Sequence, residues 1–359
     1  MTTLGPCSYR EITTQGASWR SALEAVLAQR EALQAILARN ADRVHFFIGC
    51  GSTHYLAQYA APFFQGLTGR AARGVPSSEL YLQTETLVTP GKPPLVIALS
   101  RSGETSETVM AVETLRAQGS EAITISCYRQ TSLAAISTLT VSIPEGQEES
   151  FAQTRSFAGM LVAAQALAAL AAGDAALLEE LSQLPMLAEG IIERAKPLAQ
   201  AWGSDESIRR ITYLGSGPLY GLANEATVKM KEMSLSMAEG YHFMEFRHGP
   251  MSLVDQDHLV VGLLSDELWP YEVAVLRDLK QRGARILVIA NEEDGLAGEF
   301  DAVFTLQAPI AERARGVLYL PLVQLLAYYR AVGRGLNPDR PRHVVMAIKL
   351  QGTEMVPHA

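Results

Sequence analysis

The sequence has few cysteines and no long hydrophobic run, and both absences narrow the class of protein. Only three cysteines occur in 359 residues. They form no CxxC pair, and at least one must stay unpaired, which favours a reducing compartment. The most apolar stretch, residues 159–172, has about 14 residues where a bilayer requires ~20. No export signal is visible at the N-terminus. We therefore expect a buried helix at 159–172, no membrane partner and a cytoplasmic protein.

Basic charge is also scarce, because the formal net charge is −8. A protein that binds nucleic acid neutralises phosphates with a basic surface, so this balance argues against a nucleic-acid partner. An anionic ligand would have to be bound by a local group of donors. The composition, with 48% hydrophobic and 19% charged residues, is that of an ordinary globular protein, and the length suggests about two domains.

Three strand-and-loop patterns occur twice at nearly constant separation, which predicts a duplication. Each is repeated after about 165 positions, and the paired markers are Gly49 with Gly215, the strand ends Ser100 and Ser265, and Gly119 with Gly283. Short strands that are apolar on both faces alternate with helical segments in each half. This predicts two tandem doubly wound α/β domains, flavodoxin-like parallel sheets in three αβα layers. Ligands should bind at the carboxyl ends of the strands.

The expected domain order follows from this duplication. Residues 17–39 carry apolar side chains at helical spacing and predict one helix that packs by one face. A helical connector that is broken near Pro185 and Pro197 should mark the junction between the domains. The predicted segments are an N-terminal helical segment (1–40), a first domain (41–175), the connector (176–205), a second domain (206–335) and a C-terminal tail (336–359).

The first half contains two loops rich in glycine and hydroxyl groups. Residues 100–105, SRSGET, leave a predicted strand and enter a helix predicted over 104–117. Hydroxyls and free backbone N–H groups at a helix N-terminus form an anion cradle. The alternative is ordinary capping of that helix by Ser102. A second loop, Gly49-Cys50-Gly51-Ser52-Thr53, should lie on a neighbouring strand, and two converging loops favour the cradle.

Neither half matches the common nucleotide-binding patterns. After GxG at residues 49–51 and 215–217, the third glycine of a dinucleotide fingerprint would fall at His54 and Tyr220, so that fingerprint fails in both halves. A phosphate-binding loop of the G-x-x-x-x-G-K-[S/T] type is also absent from the sequence.

A helix predicted over 219–237 carries an acid, a base and an acid on one stripe. Glu225, Lys229 and Glu232 stand at i, i+4 and i+7, a spacing that puts them on one face. An exposed ladder of ion pairs is the alternative. The segment 239–250 that follows is dense in acidic, basic and aromatic groups, and its His248 could serve as a general acid or base near neutral pH. No histidine or cysteine spacing predicts a metal, and we expect no cofactor.

These motifs, in this order, resemble the sugar isomerase (SIS) family. The resemblance covers the chain from about residue 20 onward and is to double-SIS proteins: the isomerase half of glucosamine-6-phosphate synthase, stand-alone phosphosugar isomerases and aminosugar-phosphate deaminases. It implies isomerase or deaminase activity on an aminohexose phosphate such as glucosamine 6-phosphate, by ring opening and proton transfer between C1 and C2. It also implies a homodimer. The alternatives are a phosphosugar-binding regulator without catalysis and a deglycase of a sugar-phosphate amine adduct.

The resemblance also implies site residues. Glu232 matches the proton-transferring acid, Glu225 and Lys229 match its companions, and His248 matches a ring-opening histidine that reaches in from a second subunit. The residues implied in phosphate binding are Ser52, Thr53, Ser100, Arg101, Ser102, Thr105 and, in a segment that closes over the sugar, Gln153.

Two departures from the synthase bear on activity. No glutamine-hydrolysing domain precedes the isomerase region in this sequence, so glutamine is not expected to be the nitrogen donor. The synthase has a lysine in its C-terminal tail that handles the open sugar, and Met346 stands at that place here. Lys349, three residues later, is the candidate substitute.

Overall fold

The computed structural model describes residues 4–293 and 295–350, and they form two five-stranded parallel sheets. The first sheet contains β1 (His45–Gly49), β2 (Ala72–Pro76), β3 (Leu95–Leu99), β4 (Glu121–Ser126) and β5 (Leu139–Ser142). The second contains β6 (Arg210–Gly215), β7 (Met237–Tyr241), β8 (His258–Leu263), β9 (Arg285–Ala290) and β10 (Ala302–Thr305).

Helices precede, connect and follow these strands. They are α1 (Pro6–Thr13), α2 (Gly16–Leu27), α3 (Arg30–Arg39), α4 (Ser52–Thr68), α5 (Ser77–Leu82), α6 (Thr84–Leu87), α7 (Ser106–Ala117), α8 (Ser132–Ile136), α9 (Arg155–Ala172), α10 (Ala175–Gly203), α11 (Leu219–Ser234), α12 (Phe243–Phe246), α13 (Trp269–Gln281) and α14 (Leu320–Gly333). Short 3₁₀ turns lie at Pro144–Gly146, Pro250–Leu253, Glu312–Ala314 and Gly316–Tyr319.

The two sheets have the same topology, which confirms the predicted pair of doubly wound domains. Their strand orders are β2-β1-β3-β4-β5 and β7-β6-β8-β9-β10. The central strands are buried along their length because helices cover both faces of a parallel sheet. The order of the strands reverses between β1 and β3 and again between β6 and β8, and these are the switch points at which such folds bind ligands.

The hydrogen-bond register corrects one pairing in the predicted repeat. The N–H of Ser100 donates to the carbonyl of Ile125 at 3.1 Å, and the N–H of Leu264 donates to that of Ile289 at 2.9 Å. Leu264, and not Ser265, is therefore the counterpart of Ser100. The second half has no hydroxyl at this place.

The described residues divide into two compact units that are interleaved along the chain. One unit contains the first sheet and comprises the described parts of Gln15–Glu148, Arg155–Ser182 and Val345–Ala359. The other contains the second sheet and comprises those of Met1–Thr14, Glu149–Thr154 and Gln183–Val344. The segment after residue 344 thus belongs to the unit of the first sheet, although it follows the second half in sequence.

The N-terminal region differs from the single helix that the sequence predicted over 17–39. It forms α2 and α3, with a break at Ala28 and Gln29, and α1 precedes them. Gln29 leaves helical geometry with φ −116°. The expected one-sided packing is confirmed, because Trp19, Val26 and Leu33 are buried.

Helices α9 and α10 correspond to the predicted buried helix and to the predicted broken connector. The helix α9 contains the stretch 159–172, and 83% of the helix is buried inside the protein. This confirms the predicted buried helix. The predicted break of the connector is wrong, because α10 runs unbroken through Pro185 and Pro197. Each proline removes one backbone hydrogen bond, but the helix continues in the turns on either side of it.

Two other helix ends also differ from the predictions. The helix α11 ends at Ser234 and not at Met237, because Leu235 adopts a left-handed conformation with φ 53° and ψ 30°. Met237 then begins β7, so the first residues of the segment 239–250 lie in a strand. The helix after β3 begins at Ser106, two residues later than predicted.

Candidate active site

The loop between β1 and α4 brings glycine and hydroxyl groups to the first switch point. A Cβ on Gly49 would lie 2.5 Å from the backbone and hydroxyl of Thr53, so only glycine fits there. Gly51 has φ 57°, a conformation that glycine adopts without strain. Thr53 closes the loop, since its Oγ1 accepts the Cys50 N–H at 2.9 Å and donates to the Cys50 carbonyl at 3.0 Å. Ser52 is the buried first residue of α4.

Cys50 in this loop is not activated as a nucleophile. Its sulfur lies 3.5 Å from Oγ1 of Thr108. Burial raises the pKa of the Cys50 thiol, so the thiol stays protonated near neutral pH.

The loop between β3 and α7 lies beside the first, because β3 pairs with β1. The hydroxyl oxygens of Ser100 and Ser102 accept the N–H groups of Gly103 and Glu104, each at 3.1 Å. Each serine proton therefore stays available for a bond to an anion. Gly103 has φ 67° and approaches the Thr131 hydroxyl so closely that a Cβ would lie 2.4 Å from it.

The capping alternative for this loop is wrong. The N-cap of α7 is Thr105, and no side chain caps the helix. Ser102 bonds within the loop instead. The loop is also fixed by Glu104, whose carboxylate accepts the Ser132 N–H at 2.8 Å and the Ser132 hydroxyl at 3.0 Å. These bonds, the N–H first, lower the pKa of Glu104.

Arg101 forms a buried ion pair behind the loop. Its Nη1 lies 3.0 Å from Oε2 of Glu148, and the two side chains are 3% and 0% exposed. Glu148 also accepts the N–H of Ser156 at 3.1 Å and its hydroxyl at 2.6 Å. The arginine thus ties the loop to the start of α9. Glu148 did not figure in the sequence prediction, because nothing local indicates a partner 47 residues away.

The C-terminal segment lies against the same loop. The Met346 carbonyl accepts a bond from Arg101 at 3.2 Å, and the Ile348 carbonyl accepts the N–H of Ser106 at 3.1 Å. Lys349 reaches Glu104, with Nζ 3.5 Å from Oε2. The residue that follows Lys349, Leu350, donates its N–H to Oγ of Ser106 at 3.0 Å. Lys349, the candidate substitute for the tail lysine of the synthase, thus lies beside this loop.

Three of the four charged residues of α11 form a connected cluster. Lys229 Nζ lies 2.8 Å from Oε2 of Glu232 and 3.5 Å from Oε1 of Glu225. The side chains of Glu225 and Lys229 are each 1% exposed, whereas that of Glu232 is 23% exposed. The alternative of an exposed ladder is therefore wrong. A buried cation between two acids, of which one is accessible, suits proton transfer to a bound molecule.

The segment after β7 places two histidines differently. The His242 ring stacks on Tyr220, at the start of α11, with centroids 3.8 Å apart, and partial desolvation lowers the pKa of this exposed histidine. His248 is exposed and its N–H donates to the Glu245 carbonyl at 2.9 Å. The following Gly249 has φ 120°. The turn thus presents His248 outward, while α12 on its other side is buried through Phe243 and Phe246.

Gln153 lies in the unit of the second sheet, in the segment Glu149–Thr154. It is half-buried, between the buried residues Ala152 and Thr154. The predicted phosphate loops lie in the unit of the first sheet, and Glu225, Lys229, Glu232 and His248 lie in the other.

Two curated relatives align with more than two thirds of this chain. A glutamine–fructose-6-phosphate aminotransferase (isomerizing) from Brucella abortus biovar 1 (strain 9-941) is 27% identical over 313 residues, which are 84% of this chain and 51% of the relative. The corresponding protein of Agrobacterium fabrum is 30% identical over 267 residues, 70% of this chain and 44% of the relative. The chain thus spans about half the length of the curated relatives it matches.

Solved structures share the fold over almost the whole chain. A tagatose-6-phosphate ketose/aldose isomerase from Escherichia coli matches with a TM-score of 0.86 at 24% identity, over 95% of this chain and 97% of its own. A glucosamine-6-phosphate deaminase from Thermotoga maritima matches with a TM-score of 0.74 at 25% identity, over 92% of this chain and 100% of its own. The SIS domain matches residues 39–170 and 206–332, the two sheets with their helices, and the chain belongs to the SIS domain family.

Proposed function

We propose that this SIS protein is an enzyme that moves a proton between C1 and C2 of a hexose or aminohexose 6-phosphate, as a phosphosugar isomerase or an aminosugar-phosphate deaminase. The observation that carries the proposal is the Lys229 cluster, in which a buried cation lies 2.8 Å from the accessible Glu232. Relatives named for isomerase and deaminase reactions on sugar 6-phosphates support the substrate class.

The roles follow from the chemistry of each group. Ser100 and Ser102 donate their free protons to the phosphate, with Ser52, Thr53, Thr105 and Gln153 around it. Arg101 adds positive charge behind the loop while it stays paired with Glu148. Glu232 takes the proton from one carbon and returns it to the other. Lys229, which also contacts Glu225, holds the Glu232 carboxylate in place.

His248 is proposed to open the sugar ring in the site of a second copy. Its exposure on one chain supports this role, since a histidine that serves a partner subunit must project outward. The active protein is then a homodimer that works in the cytoplasm, and a His248→Ala variant should complement a Glu232→Gln variant when the two are mixed.

The decisive experiment is Glu232→Gln. The amide keeps the shape of the carboxylate but cannot accept a proton, so kcat for ketose formation or ammonia release should fall by about 10²–10⁴-fold. Binding of the sugar phosphate should change little. Lys231→Gln is the matched control, because Lys231 is an exposed neighbour on the same helix. A Glu232→Gln protein as active as its parent would overturn the proposal.

The second candidate is a phosphosugar-binding regulator without catalysis. It is favoured by Met346, since the resemblance to the synthase implies a lysine at this place that acts on the open sugar. A screen of hexose and aminohexose 6-phosphates by thermal shift, followed by assays of the hits for ketose and ammonia, separates the two. Binding without turnover of any hit would establish the regulator, and release of an amine from a sugar-phosphate adduct would indicate a deglycase.

A further inference from the structure

Helix α1 holds the segment Glu149–Thr154 through one buried carboxylate. Glu11 is 1% exposed. Its Oε1 accepts the N–H of Glu149 at 2.6 Å and that of Ser150 at 3.2 Å. Its Oε2 accepts the Ser150 hydroxyl. A side-chain oxygen that accepts two successive backbone N–H bonds fixes the conformation of the chain that supplies them, because both donors must keep their direction toward one acceptor.

The rest of this segment is fixed by elements near the end of the second half. The N–H of Phe151 donates to the Asp339 carbonyl at 3.0 Å. The guanidinium of Arg340 lies over the Phe151 ring, 4.3 Å from its centroid. At the far end, Gln324 donates to the Thr154 carbonyl at 3.2 Å. The segment is therefore held on both sides of Gln153.

Helix α1 is itself anchored by Asp339. The carboxylate of Asp339 accepts the N–H of Cys7 at 3.0 Å, and the N–H and hydroxyl of Ser8, each at 2.6 Å. The two N–H groups belong to the first turn of α1, where backbone N–H groups have no carbonyl acceptor within the helix. An acidic group is therefore stabilising at this end of the helix. Glu11 is thus presented from a helix whose start is fixed in place, and its carboxylate does not have to be positioned by the segment that it holds.

We propose that Glu11 is a positioning residue, which prepares the segment Glu149–Thr154 so that Gln153 is in place before the sugar phosphate arrives. This inference rests on the proposed function, in which Gln153 contacts the substrate. Fixing a free backbone in one conformation costs conformational entropy at every residue. A segment that is already ordered spares the substrate that cost, and substrate affinity gains accordingly.

Three variants at Glu11 separate positioning from charge. Glu11→Ala removes the acceptors, and Glu11→Asp keeps the charge but is one methylene too short to reach the same N–H groups. Glu11→Gln loses the charge but keeps a carbonyl oxygen of the same reach. We expect KM to rise by at least about tenfold in the alanine and aspartate variants, with kcat within about threefold of the parent, and we expect recovery in the glutamine variant. Glu24→Ala, an exposed acid on α2, is the control for charge.

Hydrogen exchange of the ligand-free protein tests the anchoring without any activity assay. The amides of Glu149 and Ser150 should exchange at least about tenfold faster in Glu11→Ala than in the parent or in Glu11→Gln. Unchanged exchange overturns the anchoring. Faster exchange with an unchanged KM overturns the role in substrate binding. A parent protein that neither binds nor converts any hexose 6-phosphate overturns the proposed function and this role together. Faster exchange in Glu11→Ala would in that case still show that Glu11 anchors the segment Glu149–Thr154.

Discussion

The ammonium group of Lys229 bridges two carboxylates of different accessibility, with Nζ 2.8 Å from Oε2 of Glu232 and 3.5 Å from Oε1 of Glu225. Glu225 and Lys229 are buried, and Glu232 has 23% of its side chain exposed. The buried members therefore balance each other's charge, and Glu232 is the member that a bound molecule can reach. Two residues of the same type, seven positions apart on one stripe of α11, thus differ in their access to solvent.

Lys229→Met should unfold at a markedly lower denaturant concentration than the parent. Removal of one partner from a buried ion pair leaves the other charge in the interior, which typically costs about 3–5 kcal/mol. Urea unfolding measures this loss. A second variant, Lys229→Met with Glu225→Gln, removes both buried charges and should recover part of the stability but not the turnover. Equal stability of Lys229→Met and the parent would contradict a charged cluster.

Ser102→Ala should weaken the binding of phosphorylated sugars and leave the fold intact. A hydrogen bond to a charged group contributes about 1.5–3 kcal/mol, so the dissociation constant for a hexose 6-phosphate should rise by roughly 10- to 100-fold. Inorganic phosphate should lose affinity to a similar degree, because it has no sugar to compensate. Ser182→Ala is the control, because Ser182 is an exposed serine on α10, outside both hydroxyl loops. The prediction fails if calorimetry shows the same phosphate affinity for Ser102→Ala and the parent.

The strands and their loops could be predicted because their signals are local. Runs such as Leu95–Leu99 are apolar on both faces, and the glycines that follow the strands mark tight turns, so the duplicated sheet and both hydroxyl loops follow from short stretches of sequence. The ends of helices were less well predicted. Leu235 ends α11 in a left-handed conformation that a leucine adopts rarely. The residue type at this position therefore does not indicate the end of the helix.

The partners that hold the site could not be predicted, because they are distant in sequence and polar. Glu148 pairs with Arg101 across 47 positions, and Glu11 holds Ser150 across 139. Hydrophobic periodicity carries no information about such pairs, and a glutamate on a short amphipathic helix reads as an ordinary surface residue. Burial of the carboxylate, which only the fold reveals, distinguishes it.

Arg101→Gln and Lys349→Met should differ strongly in stability, although both residues form ion pairs with the same region. The Arg101 pair is buried, with 3% and 0% of the side chains exposed, and its loss should cost about 3–5 kcal/mol. Lys349 is 64% exposed and its partner Glu104 30%, and an exposed pair contributes less than about 1 kcal/mol. Urea unfolding of the two variants side by side checks the order. Equal losses would mean that the C-terminal segment, and not burial, governs both.

We expect the buried carboxyl group of Glu272 to make the stability of the protein depend on pH. It is 1% exposed, and its Oε2 accepts the N–H of Ser265 at 2.8 Å and the Ser265 hydroxyl at 3.3 Å. Burial raises the pKa of Glu272 to about 7, from a usual 4.5, against the opposing hydrogen bonds of Ser216 and Ser265. The unfolded chain therefore releases this proton at lower pH than the folded one does.

The stabilisation from the protonated Glu272 is fully present below pH 4.5 and is lost as the pH rises through about 7. Over this interval the loss amounts to about 3 kcal/mol at most, since each pKa unit corresponds to about 1.4 kcal/mol. Glu272→Gln does not titrate, so its free energy of unfolding relative to that of the parent should increase between pH 5 and pH 8. Urea unfolding at the two pH values measures the change. Glu267→Gln, at an exposed acid in the same loop, should show no such change, and a parallel pH dependence of Glu272→Gln and the parent would mean that the buried carboxyl is already ionised below neutrality.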